Sequence, residues 1–509
     1  MPRSPDTARS YGLGPQGRVL VLLAASLVGL ELYLVFGFAA TSDEAALTRF
    51  FATLGAQFAV YAAALILLAR RRGSQPGAAR PATIIWTAAI ACRLIALGAG
   101  LDHGDPWRGL QRELAIGTDA LAQPSGYEPF LLYDNDVWRY RVDGSLLAHG
   151  VVPYRIAPLE VDETRPTPIL PESDAAALAS YRAEILESER MTDVFARTSY
   201  PEVRTVYGPV ALALFAATER LAPGGVLAWK LVAVAADLLV CWLVVRLARS
   251  LGHGACWPLL AWSWNPLVLK ELAASAHVDA VLVALQTGAV LLALRRSPWA
   301  AVALGLAAAI KPTALLVLPV LIRRTPTVRT WLLLAATLTV VWAPFATAVP
   351  DFLRAQAHFA GSWQFNAGAW ELARSAASAL GSFDPVRAAN AVYGLTVLVL
   401  ALGTGLALRG EAAAERLVAC CGMLYAALAL LGPVVNPWYA LWALPFSAAL
   451  RSWPWLACSG LLAVSYTHYL DGVTPLPALL VQHLGVAAIC LAWLLTSRRR
   501  PLAGEIRRG

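Results

Sequence analysis

The sequence consists of successive apolar stretches separated by short loops that carry arginine. A membrane-spanning helix needs about 20 predominantly apolar residues, and 58% of the 509 residues are hydrophobic whereas only 15% are charged. Soluble domains are about 25% charged, so the sequence predicts an all-α, polytopic membrane protein with about 12 spanning helices. Twelve windows approach the required length, 438–450 being the shortest: 18–39, 51–69, 83–100, 225–247, 255–270, 278–294, 328–348, 391–408, 415–433, 438–450, 454–468 and 477–497.

The arginines in the loops predict the side of the membrane that each loop faces. Lys230, Lys270 and Lys311 are the only lysines, so the formal net charge of +8 comes almost entirely from arginine. Short arginine-rich loops between apolar windows are typical of the cytoplasmic side of a membrane and argue against a nucleic-acid-binding protein. Twelve crossings place both termini in the cytoplasm, together with the basic clusters of the tails and short loops: Arg3, Arg9, 70–80, Arg246, Arg249, Arg295, Arg296, 323–329, Arg409, Arg416, Arg451 and 498–500.

This topology divides the chain into four parts. Residues 1–17 form a cytoplasmic N-terminal tail, 18–440 the main transmembrane module, 441–497 a set of C-terminal transmembrane helices, and 498–509 a basic cytoplasmic tail. The module includes two large loops, 101–205 and 349–390, which then lie on the extracytoplasmic side and are expected to contain interfacial helices. The first apolar run is too long for a signal-peptide core, so it is predicted to remain as a helix.

Two apolar segments are not needed as crossings. Residues 206–221 are expected to lie along, or dip into, the outer surface. Residues 298–322 carry arginine at both ends, so they are expected to enter and return as two short helices that meet near Lys311 and Pro312. Such broken helices are tolerated only where they line a cavity. The alternative treats both segments as full spans, which places some arginine-bearing loops outside.

The polar segment DNDVWRYRVDG, residues 134–144, is the first candidate site. In a helix, Asp136, Arg139, Tyr140 and Asp143 are spaced by three and four residues and share one face, and the early acids would cap the N-terminus. A carboxylate pair beside apolar helices is suited to removing a proton from a hydroxyl group. The alternative is an amphipathic segment that lies solvated on the membrane.

Charged residues also interrupt two later apolar stretches. The segment WNPLVLKELAASAHVDA, residues 264–280, contains Lys270, Glu271, His277 and Asp279. Charges within a bilayer are costly and are therefore functional or at a helix end; satisfied interfacial residues are the alternative. Lys311 has no other charged residue within ten positions on either side. Its ammonium group must meet an anion, for which a phosphate is the natural candidate, or extend to the interface.

The remaining features are less specific. The segments 200–209, 365–372 and 436–446 hold aromatic residues that ordinarily anchor a protein at the interface, and Arg93 lies alone in an apolar run. The seven cysteines are expected to be buried apolar residues and not a disulfide framework. No cluster has metal-ligand spacing, and the sequence contains no Walker loop or dinucleotide-binding glycine motif. No cofactor or metal site is predicted, although Asp134 with Asp136 could hold a divalent cation.

The order of these motifs resembles that of polytopic GT-C glycosyltransferases. The match is closest to bacterial glycosyltransferase family 87 and the polyprenol-phosphate-dependent mannosyltransferases. The similar pieces are Asp134–Pro158, PEVRTVYGP at 201–209, NPLVLKE with AHVD at 265–279, KPT at 311–313 and NPWY at 436–439. This chain departs from the family where Asn135 replaces a common aspartate, Val142 a tryptophan, and Gly208 the first proline of a Tyr-Pro-Pro sequence.

The resemblance implies that a sugar, mannose first among the candidates, is transferred from a polyprenyl-phosphate donor to a glycan or lipid acceptor on the extracytoplasmic face of the plasma membrane. Asp136 would be the general base of an inverting displacement, with Asp134 in reserve. The donor phosphate would be bound by Lys311, Arg139, Arg204 and Lys270. Sugar and acceptor would contact Tyr140, Asp143, Tyr207, Glu271, His277, Asp279, Asn436, Trp438 and Tyr439.

Other functions remain compatible with the sequence. A flippase for lipid-linked sugars or a secondary transporter would also be polytopic, but its polar groups should lie near the midplane, often in repeated halves. A scaffold protein would not need Lys311 beside a broken helix, whereas a ligase that uses a lipid-linked glycan donor shares most of the same chemistry. The expected partners are the lipid-linked donor, the acceptor and membrane lipids, and not nucleic acid.

Overall fold

The computed structural model describes residues 14–37, 44–70, 79–101, 133–165, 168–185, 188–408, 413–472 and 474–497. Most of the predicted N-terminal tail, the basic tail 498–509, the arginine-rich segment 71–78 and residues 102–132 of the first large loop lie outside these ranges. Within them the chain is helical, and pairing between extended segments is limited to an isolated bridge between Phe365 and Val434. The predicted all-α class is therefore confirmed.

Twenty-two α-helices lie within the described residues. They are α1 (Pro15–Phe36), α2 (Glu44–Ala69), α3 (Ala79–Ala96), α4 (Asp136–Ala148), α5 (Glu172–Ile185), α6 (Glu189–Ala196), α7 (Pro209–Leu221), α8 (Leu227–Ser250), α9 (Cys256–Ser263), α10 (Pro266–Val268), α11 (Asp279–Leu294), α12 (Ala300–Ala308), α13 (Leu318–Arg324), α14 (Val328–Trp342), α15 (Val349–Ser362), α16 (Gly368–Ala379), α17 (Pro385–Ala407), α18 (Ala414–Leu431), α19 (Leu444–Ala449), α20 (Trp453–Leu462), α21 (His468–Asp471) and α22 (Leu476–Ser497). A π-helical segment, Leu269–Ala274, and several short 3₁₀ segments link them.

Seven of the described helical segments are long and apolar enough to cross a membrane. They are Pro15–Phe36, Glu44–Ala69, Leu227–Ser250, Val328–Ser362, Pro385–Ala407, Ala414–Leu431 and Leu476–Trp493. An eighth arises if Pro266–Ala274 and Asp279–Leu294, which meet at an angle of 116°, are taken as one broken span. These helices support a polytopic membrane protein and coincide with seven of the twelve predicted windows.

The other five predicted windows are shorter or interrupted helices. The window 255–270 is broken at Asn265 and Pro266, and 438–450 and 454–468 each combine a short α-helix with a 3₁₀ segment. The side chains of these three windows are largely enclosed by neighbouring helices, as in α9, where every residue from Trp257 to Ser263 is buried. A helix surrounded by protein does not need the length that contact with lipid imposes, and irregular backbone is tolerated there.

The segments that were left over from the predicted crossings are short helices. Helix α7 has 13 residues, which at about 1.5 Å per residue falls short of a bilayer of about 30 Å. Helix α12 ends at Ala308, and a 3₁₀ segment begins at Pro312, so the predicted break at Lys311 is confirmed. All seven cysteines are free. Cys490, however, is exposed, contrary to expectation.

Candidate active site

The N-terminus of α4 places the two acidic residues of the first motif. The side-chain oxygen Oδ1 of Asp134 accepts a hydrogen bond of 2.9 Å from the backbone N–H of Asp136, the first residue of the helix. This bond satisfies one of the N–H groups that lack a partner at a helix start. The prediction that an early acid caps this helix is thus confirmed for Asp134. Asp136, one turn ahead of Tyr140, keeps its own carboxylate free for other contacts.

The break between α10 and α11 places the second motif. Asn265 caps α10 by accepting hydrogen bonds from the N–H groups of Leu267 and Val268, at 3.0 and 3.3 Å. The helix then widens into the π-helical segment that carries Lys270 and Glu271, and such widened turns recur at functional sites. At Ala276 the backbone enters the left-handed region, with φ of 55°, so that the chain turns sharply before α11.

Two neighbouring side chains hold this turn in place. Trp229 Nε1 donates a hydrogen bond of 2.7 Å to the carbonyl of Ala276. Lys230 Nζ donates one of 2.9 Å to the carbonyl of Ala274. Both residues lie at the start of α8 and are fully buried. His277, which follows the turn, is therefore fixed by the backbone that precedes it.

His277 lies at the centre of a buried ionic cluster. Its Nε2 atom is 2.6 Å from Oδ2 of Asp134 and 3.2 Å from Oε2 of Glu271. Lys270 Nζ lies 3.2 Å from the same Glu271 oxygen and 3.9 Å from Oδ2 of Asp134. Burial opposes the ionisation of Asp134, but the adjacent His277 and Lys270 outweigh it and lower the pKa of this carboxyl group. The cluster thus balances carboxylates against cations inside the protein.

The same cluster has the donor set of a metal site. Ligand atoms of Asp134, Glu271 and His277 lie within 4.8 Å of one another, and nitrogen and carboxylate oxygen suit several divalent cations. Lys270, however, already places a positive charge against both carboxylates. A divalent cation at this point would have to displace the ammonium group of Lys270.

Asp136 is the accessible member of this acidic group. Its side chain is 24% exposed, whereas those of Asp134 and Glu271 are 3% and 0% exposed. Its Oδ2 atom lies 3.6 Å from Nδ1 of His277, and Ser199 donates a hydrogen bond of 3.5 Å to its Oδ1 atom. Burial and repulsion from Asp134 raise the pKa of Asp136 to about 6, although His277 and Lys311 act in the opposite direction. A carboxylate with such a pKa can accept a proton near neutral pH.

Lys311 lies at the break before Pro312 and reaches the N-terminus of α11. Its Nζ atom is 2.8 and 3.0 Å from the two carboxylate oxygens of Asp279, and the side chain is 18% exposed. The rings of Tyr439 and Trp442 each lie 5.6 Å from the same nitrogen, a separation at which a cation is attracted by an aromatic face. Lys311 is thus a fixed, partly accessible cation that acts electrostatically on Asp136.

The backbone beside Lys311 is tied to the segment that precedes α7. The N–H of Gly208 donates to the carbonyl of Ile310, and that of Val210 to the carbonyl of Ala309, both at 3.0 Å. The two segments of the backbone approach so closely that a Cβ atom on Gly208 would lie 2.3 Å from the oxygen of Ala309. Tyr207, immediately before this contact, packs edge-on against Tyr140 at a centroid separation of 5.2 Å.

Residues 129–325 match the MptA_B family. The description of that family is alpha-(1->6)-mannopyranosyltransferase, N-terminal domain. Comparisons with curated proteins and with solved structures gave no match. The match is consistent with a GT-C family 87 type mannosyltransferase and confirms the resemblance predicted from the motifs. A mannosyltransferase domain on apolar helices supports a membrane glycosyltransferase.

The matched region, residues 129–325, contains most of the predicted site residues. Asn436, Trp438 and Tyr439 lie beyond it. Trp438 stacks on the ring of His277 at a centroid separation of 4.0 Å. At the start of the same 3₁₀ turn, the backbone N–H of Tyr439 donates a hydrogen bond of 3.1 Å to the carbonyl of Asn436. The turn therefore covers the ionic cluster from the C-terminal part of the chain. Tyr140 completes the contacts of His277, with its hydroxyl 3.3 Å from Nδ1.

The remaining predicted cations occupy different surroundings. Arg139 pairs with Asp143 at 2.9 Å and donates a hydrogen bond of 3.1 Å to the carbonyl of Tyr200. Arg204 lies 3.6 Å from Glu160, which does not belong to the ionic cluster. Lys270 is 1% exposed and is held by carboxylates. Of the four predicted phosphate-binding residues, Lys311 is thus the cation that lies at an accessible break.

Three residues that contact the site were not among the predicted site residues. Tyr466 donates a hydrogen bond to Oε1 of Glu271, and Trp442 Nε1 donates one of 2.6 Å to Oδ1 of Asp279. Ser199 contacts Asp136. Tyr466 and Trp442 belong to segments whose composition predicts simple membrane crossings. The segment after residue 440 therefore contributes directly to the site.

Proposed function

We propose that the protein transfers mannose from a polyprenyl-phosphate donor to a hydroxyl group of a glycan or lipid acceptor. The observation that carries this proposal is the accessibility of Asp136 and Lys311, at 24% and 18%, beside charged partners that are buried. The carboxylate of Asp136 can accept a proton, and the ammonium group of Lys311 can neutralise an anion. The match to a mannosyltransferase domain supports the choice of sugar.

The proposed reaction is a single displacement at the anomeric carbon. The acceptor hydroxyl oxygen forms a bond to that carbon while the bond from the carbon to the phosphate oxygen breaks. Asp136 takes the hydroxyl proton, and the polyprenyl phosphate leaves with the electron pair of the broken bond. The anomeric configuration is thereby inverted. Because the transition state has oxocarbenium character, a base and a cation near the leaving oxygen both lower its energy.

The surrounding residues assist this reaction by position. Asp134 and Glu271 hold His277 from one side, and Trp438 covers its ring. Asp279 fixes Lys311 before the donor arrives, so the donor phosphate would share the ammonium group with a buried carboxylate. A lipid donor can enter from the bilayer, which accounts for a site on membrane helices without a nucleotide-binding motif. We place the site on the extracytoplasmic face of the plasma membrane, because the arginine-rich loops lie elsewhere.

The proposal is tested by a transfer assay in liposomes with polyprenyl-phosphate-mannose and, separately, GDP-mannose. We expect transfer from the lipid donor alone, a loss of roughly 10²–10⁴-fold in Asp136→Asn, and one of roughly 10²-fold in Lys311→Ala. Asp384→Asn is the matched control, because Asp384 caps α17 away from the site and asparagine caps equally well.

Three outcomes would contradict the proposal. Unchanged transfer in a folded Asp136→Asn protein would remove Asp136 as the base. Transfer from GDP-mannose would show that the reaction does not require a lipid-linked donor. Movement of lipid-linked sugar across the bilayer without transfer would favour a flippase.

A further inference from the structure

A cavity that does not involve the ionic cluster lies among the C-terminal helices. It has a volume of about 590 Å³ and is lined by the first half of α18, the C-terminus of α19, the start of α20 and the last turns of α22. Helix α19 begins just after Trp442, which bonds to Asp279, and leads away from the site. Helix α20 leads back to Tyr466, which bonds to Glu271.

The distance between the cavity and the ionic cluster corresponds to the thickness of a membrane. The ten residues of α20 and the five of the following 3₁₀ segment span about 25 Å, at about 1.5 and 2.0 Å per residue. The hydrocarbon core of a bilayer is about 30 Å thick. If the ionic cluster lies at one boundary of the membrane, the cavity therefore lies at the other.

The lining of the cavity combines cations with interfacial aromatic residues. Arg416 and Arg451 face it together with Glu415, and Glu415 lies 3.6 Å from His253 Nε2. Within the part of the chain that the structure describes, neither arginine forms an ion pair with a carboxylate. Trp453 and Trp493 are 47% and 41% exposed, as expected for tryptophan at the level of lipid headgroups. The cavity therefore has a surplus of positive charge beside an apolar wall.

The position of Arg451 is set by the backbone and by a neighbouring ring. Its φ is 56°, in the left-handed region, where a residue other than glycine is uncommon. The N–H of Ser452 donates a hydrogen bond of 2.9 Å to the carbonyl of Ser447, and this bond closes the end of α19. The guanidinium carbon lies 5.7 Å from the centre of the Trp257 ring. Arg451 is thus oriented before any ligand binds.

We propose that this cavity binds the phosphate headgroup of an anionic membrane phospholipid. Arg416 and Arg451 would hold the phosphate, and the acyl chains would follow the apolar wall formed by Met423, Ala426 and Trp493. Arginine pairs with phosphate through two parallel hydrogen bonds. Basic pockets between membrane helices on the cytoplasmic side are suited to anionic headgroups, and the arginine-bearing loops place this end of the bundle there. The site is separate from the proposed transfer site.

The experiment is a titration of the full-length protein in detergent with phosphatidylglycerol or phosphatidylcholine of equal chain length, followed by native mass spectrometry. We expect phosphatidylglycerol to bind preferentially. Two arginines near an anionic group contribute about 1 kcal/mol each, so a variant with both Arg416→Ala and Arg451→Ala should lose roughly thirtyfold in affinity. Arg329→Ala removes one positive charge from an exposed position at the start of α14, outside the cavity. This variant should bind the lipid as the unaltered protein does, whereas each single variant, Arg416→Ala or Arg451→Ala, should bind it more weakly.

Several outcomes would overturn the proposal. These are equal binding of both lipids, undiminished binding by the double variant, or an equal loss in Arg329→Ala. Displacement of the lipid by millimolar inorganic phosphate would show an ion site that does not require acyl chains. Transfer activity is measured in parallel, since a protein that transfers sugar but binds no lipid contradicts this inference alone.

Discussion

Two buried ionic groups in this protein differ in their charge balance and in their accessibility. Arg93 on α3 pairs with Asp237 on α8 at 2.7 Å, with side chains 1% and 0% exposed. Arg93 also donates to the carbonyls of Ala89 and Ser263, and Trp262 donates to Asp237. One cation therefore meets one anion, and both are closed from the outside. The cluster around His277 instead contains several carboxylates and opens at Asp136.

The difference separates a structural ion pair from a cluster that we propose to be reactive. Both groups carry the cost of removing charges from water. The Arg93 pair offsets it with matched charges and hydrogen bonds and has no accessible atom for a substrate. In the other cluster, Asp134 and Glu271 are occupied by His277 and Lys270, so that Asp136 faces the opening with a raised pKa. Accessibility and charge imbalance, not burial of charge as such, mark the candidate site.

The largest effect is expected when the closed ion pair of Arg93 and Asp237 is broken. Asp237→Ala leaves the guanidinium of Arg93 buried without its carboxylate, which should lower the free energy of unfolding by about 3–5 kcal/mol. Thermal unfolding in detergent measures this loss. Replacing both residues by apolar ones should restore much of the stability. A stable Asp237→Ala protein that has lost transfer would reverse the assignment and place this pair in the site.

The next effect concerns a buried member of the open cluster. Asp134→Asn removes the negative charge that holds His277 at 2.6 Å and should lower kcat roughly a hundredfold, with little change in KM for the donor. The fold should be retained, because asparagine can still accept from the N–H of Asp136. If Asp134→Asn lowers the free energy of unfolding as much as Asp237→Ala does, the two ionic groups do not differ as described.

A smaller effect is expected at Tyr466. Tyr466→Phe removes the hydroxyl group that bonds to Glu271, and a hydrogen bond to a charged group contributes about 1.5–3 kcal/mol. Stability should fall within that range, measured by thermal unfolding. Tyr425→Phe, which removes a bond of 3.1 Å to the neutral carbonyl of Ala314, is the matched control and should lose less. Equal losses would indicate that Glu271 carries no charge at this contact.

The smallest effect is a shift in pH dependence. Asp136 must be ionised to accept a proton, and its pKa is raised to about 6. Transfer should therefore fall about tenfold per pH unit below 6 and level off above 7. Because Lys311 lowers this pKa, Lys311→Ala should move the midpoint upward, by up to about one unit. A midpoint that moves downward would contradict the electrostatic contact between the two residues.

The sequence predicted the features that depend on local pattern. Long apolar runs became long helices, Asp134 caps α4, and the chain breaks at Lys311 before Pro312. These outcomes follow from apolar length, from helix capping and from the geometry of proline. The motifs of the resemblance also contain His277, which the structure places between Asp134 and Glu271.

The sequence could not predict features that depend on distant contacts. Tyr466 and Glu271 are 195 residues apart along the chain, and no spacing rule connects them. The five shortened windows look like lipid-spanning helices because they are equally apolar. Four of them are largely enclosed by protein, whereas α3 in the window 83–100 keeps Ile90 and Leu94 exposed. Likewise, Arg93 and Lys311 are both isolated charges in apolar runs. Their partners in space, Asp237 for one and Asp279 at an opening for the other, distinguish them.

The contact of Gly208 with the chain before Lys311 limits which residues can be exchanged there during evolution. Any side chain would collide with the oxygen of Ala309, and a proline would in addition lack the N–H that donates to Ile310. The Tyr-Pro-Pro sequence common in the similar family cannot form this contact. A change between the two sequences therefore requires a compensating change in residues 309–310, so that the two segments must vary together.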